Sequence, residues 1–268
     1  MLSVCATPIG NLDDVTLRVL AELAEAELVL CEDTRHTRRL LDRHGIRAKL
    51  LSYHEHNEAE RTAALLPRLQ AGERVALVSD AGLPGVSDPG TRLIHAAAEA
   101  GIAVTVLPGA SAVDSALVVS GFPAERYQFL GFLPRGEGGL ATLWEELRAW
   151  PWPAVAFESP RRLPRTLASL ARVEPERQVV VARELTKRHE EIARGAAAEL
   201  AERFATAPKG EVTIVFGASV AAPASGDASD AAAVVSALVA EGVSRRRAAE
   251  LVARLTGASR KELYDMSL

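Results

Sequence analysis

The most unusual stretch of the sequence is a twelve-residue segment, Ser79-Asp-Ala-Gly-Leu-Pro-Gly-Val-Ser-Asp-Pro-Gly90, between an apolar run and a helical pattern. Its glycines permit a positive φ or a close backbone approach, and its prolines stiffen the turns. The carboxylates of Asp80 and Asp88 can accept hydrogen bonds from hydroxyl or amino groups of a ligand. A plain strand-to-helix connection, with Asp88 in an Asx turn, is the alternative, but such connections are usually shorter. We therefore expect a ligand-binding loop.

Two further loops have a similar character. Thr7-Pro-Ile-Gly-Asn-Leu12 and Pro108-Gly-Ala-Ser-Ala112 each follow an apolar run, and the second opens a helix. The free N–H groups of a helix N-terminus suit an anionic group such as a carboxylate, although Ser111 alone is more often just an N-cap. Neither Ser79–Gly90 nor Pro108–Ala112 fits the glycine patterns of dinucleotide or nucleoside triphosphate sites, and no G-x-S-x-G nucleophile motif occurs. Several ligand-type loops after strands indicate one binding cleft.

Two polar runs add ionisable groups, Glu32-Asp-Thr-Arg-His36 and Ser52-Tyr-His-Glu-His-Asn-Glu58. Both follow apolar segments, so they suit a polar substrate rim, while a solvated loop remains open. His54 and His56 carry side chains that bind metals, but two histidines at i and i+2 without a third ligand nearby are weak evidence for zinc. We expect no metal.

Charged residues also surround the apolar runs of the second half. Phe157-Glu-Ser-Pro-Arg-Arg162 and Arg183-Glu-Leu-Thr-Lys187 each follow such a run, and Lys209-Gly-Glu211 precedes one. Alone, each segment favours a solvated turn or an ion pair. Together they place charge on the loops of one sheet, which predicts a second wall of the cleft.

The elements that position these loops alternate regularly in the first half of the chain. Apolar runs typical of buried strands occur at Leu2–Ala6, Leu28–Cys31, Val75–Ser79 and Val104–Leu107. Helical patterns occur between them, at about Leu17–Ala26, Arg38–His44, Glu58–Gln70 and Arg92–Ala100. Strands that alternate with helices predict a parallel sheet covered by helices, and ligands bind such sheets at the carboxyl ends of the strands. The loops described above fall there.

The pattern changes near Phe122. Strand-like runs follow at Tyr127–Leu133, Val155–Glu158, Val179–Arg183 and Val212–Phe216, and helical patterns at Leu140–Trp150, Leu163–Ala171 and Ala196–Phe204. We predict an N-terminal α/β domain over residues 1–120 and a second α/β domain, mixed in strand direction, over residues 121–220. Residues 221–230 have the composition of a linker. Three short helices, Ala231–Ala240, Arg245–Leu255 and Arg260–Met266, are predicted to form a helical module over residues 231–268.

Composition limits the class of protein. With 268 residues, 48% hydrophobic and 25% charged, the chain resembles soluble globular proteins, and no apolar run reaches the ~18 residues of a membrane helix. Cys5 and Cys31 lie in apolar runs without a CxxC partner, so we expect buried thiols, a reducing compartment and a cytoplasmic location. The net charge of −4 argues against a protein that coats itself with nucleic acid. Local basic clusters nevertheless occur at residues 35–44 and 245–261.

These segments together resemble one known family. Ala6–Leu12, Glu32–Arg35, Ser52–Glu58, Ser79–Gly90, Pro108–Ala112, Phe157–Pro160, Arg183–Lys187 and Ser259–Tyr264 are similar, in kind and in order, to segments of ribosomal RNA small subunit methyltransferase I. The resemblance implies the tetrapyrrole-methylase-like fold, with two α/β domains, S-adenosylmethionine between them, and usually a homodimer. It also implies 2′-O-methylation of a cytidine in 16S ribosomal RNA, in the decoding centre of the small subunit.

The resemblance further implies roles for individual residues. By analogy with the class, Asp80 lies where a Gly-Asp-Pro loop touches S-adenosylmethionine, and Pro108–Ala112 forms a second cofactor loop. The residues expected to bind the cofactor are Pro8, Asp80, Gly82, Val86, Pro108, Gly109, Ala110, Ser111, Ala112, Ser159 and Leu185. The residues expected to bind RNA are Arg35, Arg38, Arg39, His56, Asn57, Arg183, Arg245, Arg246 and Arg247.

Methyl transfer to a ribose hydroxyl needs in-line alignment and a group that accepts the proton. Alignment can lower the barrier by about 7–11 kcal/mol, and a positioned base adds about 10²–10⁴-fold. The candidate bases, in order, are His54, Glu55, Glu32 and Asp33. Two other functions stay open: methylation of a tetrapyrrole or a modified protein residue by the same fold, and a non-catalytic role in RNA binding or assembly. The basic tail and the His54–Glu58 run disfavour the first, and cofactor retained on purification would exclude the second.

Overall fold

The chain forms two five-stranded sheets followed by three helices in the computed structural model, which describes residues 1–85, 87–219, 228–256 and 259–267. The predicted α/β class with a helical part at the end is confirmed. Val86, and residues 220–227 that make up most of the predicted linker, lie outside the described residues. The domain boundaries at residues 120 and 220 stay predictions.

The first sheet is parallel, as predicted, and its strand order brings the three glycine-containing loops together. Its strands are β1 (Leu2–Cys5), β2 (Leu28–Cys31), β3 (Leu50–Ser52), β4 (Val75–Leu77) and β5 (Val104–Leu107). They lie in the order β3-β2-β4-β1-β5, and each neighbouring pair is parallel. Because β4, β1 and β5 are adjacent, the loops beginning at Ser79, Thr7 and Pro108 leave the same edge of the sheet side by side.

Five helices follow these strands: α1 (Leu17–Glu25), α2 (Thr34–Arg43), α3 (Glu58–Gln70), α4 (Thr91–Glu99) and α5 (Ala112–Ser120). Helix α2 begins four residues before its predicted start, because the Asp33 carboxylate accepts a hydrogen bond from the Arg35 backbone N–H (2.8 Å) and caps it. Strand β3 was not predicted, since its three residues are only half-buried and make too short an apolar run.

The second sheet mixes strand directions, as predicted. Its strands are β6 (Gln128–Phe132), β7 (Ala154–Glu158), β8 (Gln178–Arg183), β9 (Glu191–Ala196) and β10 (Val212–Phe216), in the order β6-β7-β10-β8-β9. Only β6 and β7 run parallel; the other neighbours are antiparallel. Strand β9 was not predicted, because Glu-Ile-Ala-Arg-Gly-Ala lacks an apolar run; its backbone pairing with β8 forms it at the sheet edge.

Both faces of the second sheet are covered. Helices α6 (Glu137–Arg148), α7 (Leu163–Val173) and α8 (Ala197–Arg203) cover one face, where the Trp144 ring meets Phe216 edge-on. Helix α5 covers the other face, where its apolar side chains pack on Val155, Val180 and Val215. Successive strand residues point to opposite faces, so these strands are apolar without alternation. Helix α5 thereby joins the two sheets.

The last part of the chain is a three-helix unit of α9 (Ala228–Ala240), α10 (Arg245–Thr256) and α11 (Arg260–Met266). Small apolar side chains form its core, among them Val235, Ala248 and Leu263. Ser259 caps α11, because its hydroxyl oxygen accepts a hydrogen bond from the Glu262 N–H. Arg246 and Arg247 remain exposed on α10.

Candidate active site

A cavity of about 770 Å³ lies between the loops of the first sheet and the second sheet. Ligand sites typically enclose about 300–1,000 Å³. The loops after β1, β4 and β5 form one wall, and side chains of β6, β7, β8 and β10 form the other. The site therefore lies at the carboxyl ends of parallel strands, where the sequence predicted it.

Backbone contacts hold the first wall together. The Thr7 N–H donates to the Gly82 carbonyl (2.8 Å), the Gly82 N–H donates to the Thr7 carbonyl (3.0 Å), and the Thr7 hydroxyl donates to the Ser79 carbonyl (3.0 Å). Gly82 has a φ of +79°, which disfavours other residues. A Cβ at Gly109 would lie 2.9 Å from the Ala6 Cβ, so only glycine allows this packing. These glycines fix the shape of the wall.

One contact joins the first wall to the second half of the chain. The Asn11 N–H donates to the Thr186 hydroxyl (3.0 Å), and a Cβ at Gly10 would lie 2.7 Å from the same oxygen. Thr186 itself has a φ of +65°, an uncommon conformation for a β-branched residue. Glu190 stabilises this strained backbone, because its carboxylate accepts a hydrogen bond from the Thr186 N–H (2.6 Å). The two walls thus meet through the loops after β1 and β8.

Carboxylates without a cationic partner lie on the first wall and directly beside it. Burial and the nearby charges of Glu32 and Asp80 raise the pKa of Asp88 to about 6, although the Ser79 hydroxyl favours its ionised form. Burial, and then the charge of Asp80, also raise the pKa of Glu32. Asp80 accepts a hydrogen bond from the Asp33 N–H (3.1 Å). In the described part of the chain, Glu32, Asp80 and Asp88 form no ion pair. This wall therefore suits a positively charged ligand.

On the second wall, neighbouring groups satisfy both the charge and the hydrogen bonding of the buried carboxylate. Glu158, whose side chain is fully buried, pairs with Arg162 (2.5 Å) and accepts hydrogen bonds from the Ser159 N–H and the Thr166 hydroxyl, both 2.6 Å. Arg162 in turn donates to the Leu133 carbonyl (3.1 Å). This network fixes the turn after β7, so Glu158 shapes the cavity.

The aromatic lining of the second wall was not predicted from the sequence. Tyr127, Phe129, Phe132 and Phe157 all line the cavity, and the Phe129 and Phe157 rings meet edge-to-face with centroids 5.0 Å apart. Aromatic residues are only 4% of the chain, so the three in Tyr127-Gln-Phe-Leu-Gly-Phe132 were a usable signal. Flat apolar side chains here give the cavity a surface suited to a planar ring.

The structure brings most of the expected cofactor-binding residues to this cavity. The residues that line it are Asp80, Gly82, Pro108, Gly109, Ala110, Ser111, Ala112, Ser159 and Leu185. Pro8 is adjacent to a lining residue, Ile9, and Val86 lies outside the described residues. The Ser111 side chain caps α5, accepting from the Asp114 N–H (3.2 Å), so the N-terminus of α5 opens onto the cavity.

The four candidate bases lie apart from the lining of the cavity as described, at the carboxyl ends of β2 and β3. Asp33 pairs with Arg35 (2.8 Å), which lowers its pKa to about 2. The Asn57 amide nitrogen donates to His54 Nε2 (3.1 Å), while the buried His54 Nδ1 has no hydrogen-bond partner among the described residues. Glu55 is exposed and Glu32 is half-buried. Asp88, by contrast, lines the cavity and is better placed than these four residues to accept a proton there.

The residues expected to bind RNA fall into separate groups. Arg35, Arg38 and Arg39 are exposed on α2, and His56 and Asn57 lie in the turn after β3. Arg246 and Arg247 are exposed on α10, with Arg245 beside them half-buried. The remaining residue, Arg183, pairs with Glu191 (2.9 Å) and donates to the Lys209 carbonyl (2.8 Å), which ties it to its own sheet.

Two further features are absent from the described residues. No helix there is long and apolar enough to cross a membrane. No group of three or more histidine, cysteine or acidic side chains there is arranged to hold a metal ion.

Family comparisons agree with this architecture. Residues 1–201 match the model described as Tetrapyrrole (Corrin/Porphyrin) Methylases, and residues 225–268 match the one described as the RsmI C-terminal HTH domain. Diphthine synthase shares the fold at a TM-score of 0.64 with 15% identity, covering 81% of this chain and 89% of that one. Uroporphyrin-III C-methyl transferase from Thermus thermophilus, solved with S-adenyl homocysteine, has a TM-score of 0.56 and 21% identity, with 80% and 96% covered.

Relatives with higher identity carry one name, Ribosomal RNA small subunit methyltransferase I. That of Mesorhizobium japonicum is 44% identical over 266 residues, covering 98% of this chain and 90% of the relative. That of Thermotoga maritima is 45% identical over 216 residues, covering 80% of this chain and 97% of the relative. The second match leaves a fifth of this chain without a counterpart. The chain belongs to the ribosomal RNA small subunit methyltransferase I family, within the tetrapyrrole methylases.

Proposed function

We propose that this protein transfers the methyl group of S-adenosylmethionine to the 2′-hydroxyl of a cytidine ribose in 16S ribosomal RNA of the small ribosomal subunit. The observation that carries the proposal is the cavity, where three glycine-containing loops and uncompensated carboxylates face an apolar, aromatic wall. Membership of the family supports the class of reaction and of substrate. The ribose oxygen and the cytidine are inferred from the resemblance of the sequence segments.

The residues of the cavity fit this cofactor. Its volume of about 770 Å³ accommodates a nucleoside joined to an amino acid. The N–H groups at the N-terminus of α5 suit the amino acid carboxylate, and Asp80 suits the ammonium group. Apolar lining from Leu185 and Phe157 suits the adenine ring. When bound, S-adenosylmethionine supplies a methyl group on a positively charged sulfur, ready for transfer to an oxygen.

Asp88 is the proton acceptor in this proposal. It lines the cavity, and burial with the charges of Glu32 and Asp80 keeps its pKa near 6, above that of an exposed aspartate. An acceptor with a pKa near the working pH is ionised and still basic enough to take the proton as the O–C bond forms. With the cofactor bound, an Asp88 oxygen would take the hydroxyl proton as the ribose oxygen accepts the methyl group. Glu32 acts here through its charge on Asp88.

The RNA binds along the basic surfaces outside the cavity in this proposal. Arg38 and Arg39 are exposed on α2, directly after the strand that ends at the carboxylates, and form no ion pair in the described part of the chain. The exposed arginines of α10 provide a second site for phosphates. A homodimer in the cytoplasm, where the small subunit is assembled, completes the proposal, and sedimentation of the purified protein tests the dimer.

Methylation of isolated particles tests the proposal. Small ribosomal subunits from cells that lack the gene are incubated with the purified protein and methyl-labelled S-adenosylmethionine, and the RNA is digested to nucleosides for mass spectrometry. We expect label in 2′-O-methylcytidine. Label in a base-methylated nucleoside, or transfer only to a porphyrin precursor offered in a parallel reaction, would contradict it. Free 16S RNA beside assembled subunits identifies the form of the substrate.

A further inference from the structure

Phe132 lies at the rim of the cavity and is 62% exposed, although it is a large apolar side chain. Its ring is held by Phe157, whose ring meets it edge-on with centroids 5.6 Å apart. An exposed aromatic ring that is steadied by a second ring provides a surface on which an unpaired base can stack.

The backbone of β6 is irregular just before this ring. The pairing of β6 with β7 shifts register between Phe129 and Phe132, and Gly131 in the shifted segment has a φ of +64°. Such a bulge re-aims the following side chain. The position of a Cβ at Gly131 would lie 3.6 Å from the Ser87 hydroxyl oxygen, so the loop that carries Asp88 meets β6 beside Phe132.

An exposed arginine lies three residues after Phe132 in the chain. Arg135 is exposed and forms no ion pair or hydrogen bond within the described ranges of the chain. An exposed aromatic ring followed three residues later by an exposed arginine can combine stacking with attraction to phosphate, as in proteins that bind single-stranded nucleic acid.

We propose that Phe132 is the stacking platform for the target base, which leaves its own helix to enter the cavity, and that Arg135 binds a neighbouring phosphate. This inference rests on the proposed function and adds a substrate-binding residue to it. Because the loop that carries Asp88 meets β6 at Gly131, a base stacked on Phe132 lies next to the side of the cavity that holds Asp88. Enzymes that act on a nucleotide within a folded RNA need such a platform, since the extruded base loses its own stacking.

The test uses full-length Phe132→Ala, Phe132→Tyr and the matched control Leu17→Ala, which truncates another exposed apolar side chain, 84% exposed on α1. The probe is unmethylated small ribosomal subunits. We expect Phe132→Ala to raise the KM for subunits by about 5- to 150-fold, since one stacked base contributes about that much to affinity. Phe132→Tyr keeps the ring and is expected to restore the KM, and Leu17→Ala is expected to match the wild type.

Three results would overturn the proposal. An unchanged KM in Phe132→Ala, with wild-type methylation intact, removes the stacking role. A matching loss of S-adenosylhomocysteine affinity by calorimetry assigns Phe132 to the cofactor instead. A fall in sedimenting mass assigns the residue to an interface between copies of this chain. Failure of the wild type itself to methylate subunits is a different result, and would refute the proposed function.

Discussion

The two walls of the cavity treat their carboxylates in opposite ways. On the second wall, Glu158 is fully buried and satisfied by Arg162, Ser159 and Thr166. On the first wall, Asp80 and Asp88, with Glu32 beside them, have no cationic partner in the described residues, and burial followed by the neighbouring carboxylate charges raises the pKa values of Asp88 and Glu32. Unmatched buried charge is costly, so proteins keep it where a ligand will meet it. We therefore assign a structural role to the carboxylate of the second wall and a chemical role to the carboxylates of the first wall.

The largest effect is expected at Asp88. Asp88→Asn keeps the shape of the side chain but removes the proton acceptor, so the single-turnover rate of subunit methylation should fall by about 10²–10⁴-fold. Affinity for S-adenosylhomocysteine, which lacks the positive charge on sulfur, should stay near that of the wild type in calorimetry. Asp42→Asn, an exposed aspartate on α2, is the matched control. Full methylation by Asp88→Asn would refute the role of this wall.

Glu158 should matter for folding. Glu158→Ala leaves Arg162 without its partner, and removing one member of a buried pair costs about 3–5 kcal/mol. We expect a loss of about 3 kcal/mol in the free energy of unfolding, because Arg162 is 26% exposed and can reach water. Denaturant unfolding measures it. Glu145→Ala, which removes an exposed pair with Arg148, is expected to cost less than about 1 kcal/mol. If Glu158→Ala were as stable as the wild type but inactive, Glu158 would have a chemical role and not a structural one.

The pH dependence should isolate Asp88. A carboxyl whose pKa is raised in the folded state holds its proton more tightly there, so stability falls as pH rises from about 4 to about 6 and then levels off. Removing this charge in Asp88→Asn should therefore stabilise the protein at pH 7.5, by up to about 3 kcal/mol, and have little effect below pH 4. Activity should change the other way, falling in the wild type below pH 6. Equal stability of the two proteins at pH 7.5 would show that Asp88 is not destabilised when ionised.

The smallest effects are expected at the basic surfaces. Each phosphate contact contributes about 0.7–0.9 to the slope of log affinity against log salt. Arg38→Ala and the combined change of Arg245, Arg246 and Arg247 to alanine should both flatten that slope for small subunits. Arg172→Ala is the control, because it removes an arginine of α7 that is paired with Glu137 of α6. An unchanged slope in the triple variant would indicate a solvated helix face.

Much of this site could be predicted from the sequence, since the loops after β1, β4 and β5 each contain both glycine and proline and the loop after β4 is longer than ordinary connections. What the sequence could not supply was strand order. The order β4-β1-β5 makes those loops neighbours, and β2 beside β4 brings Glu32 near Asp88. The sequence indicates Asp88 as a hydrogen-bond acceptor but favours His54 as the base. The effect of Glu32 on Asp88 depends on a contact between segments far apart in the chain.

The second wall was harder to predict for a related reason. Phe132 and Phe157 come from different strands, and only the register of β6 with β7 places their rings together. Strand β9 lacks an apolar run because it lies at the sheet edge, where backbone pairing alone defines it. Local propensity carries little information about such positions, which tertiary contacts decide.

The most direct test is nucleoside mass spectrometry of small-subunit ribosomal RNA from cells lacking the gene, complemented with the wild type, with Asp88→Asn or with an empty vector. The account predicts that one 2′-O-methylcytidine is lost without the gene, returns with the wild type and stays absent with Asp88→Asn, although the variant accumulates and binds S-adenosylhomocysteine. Retention of every ribose methylation in cells lacking the gene would contradict it.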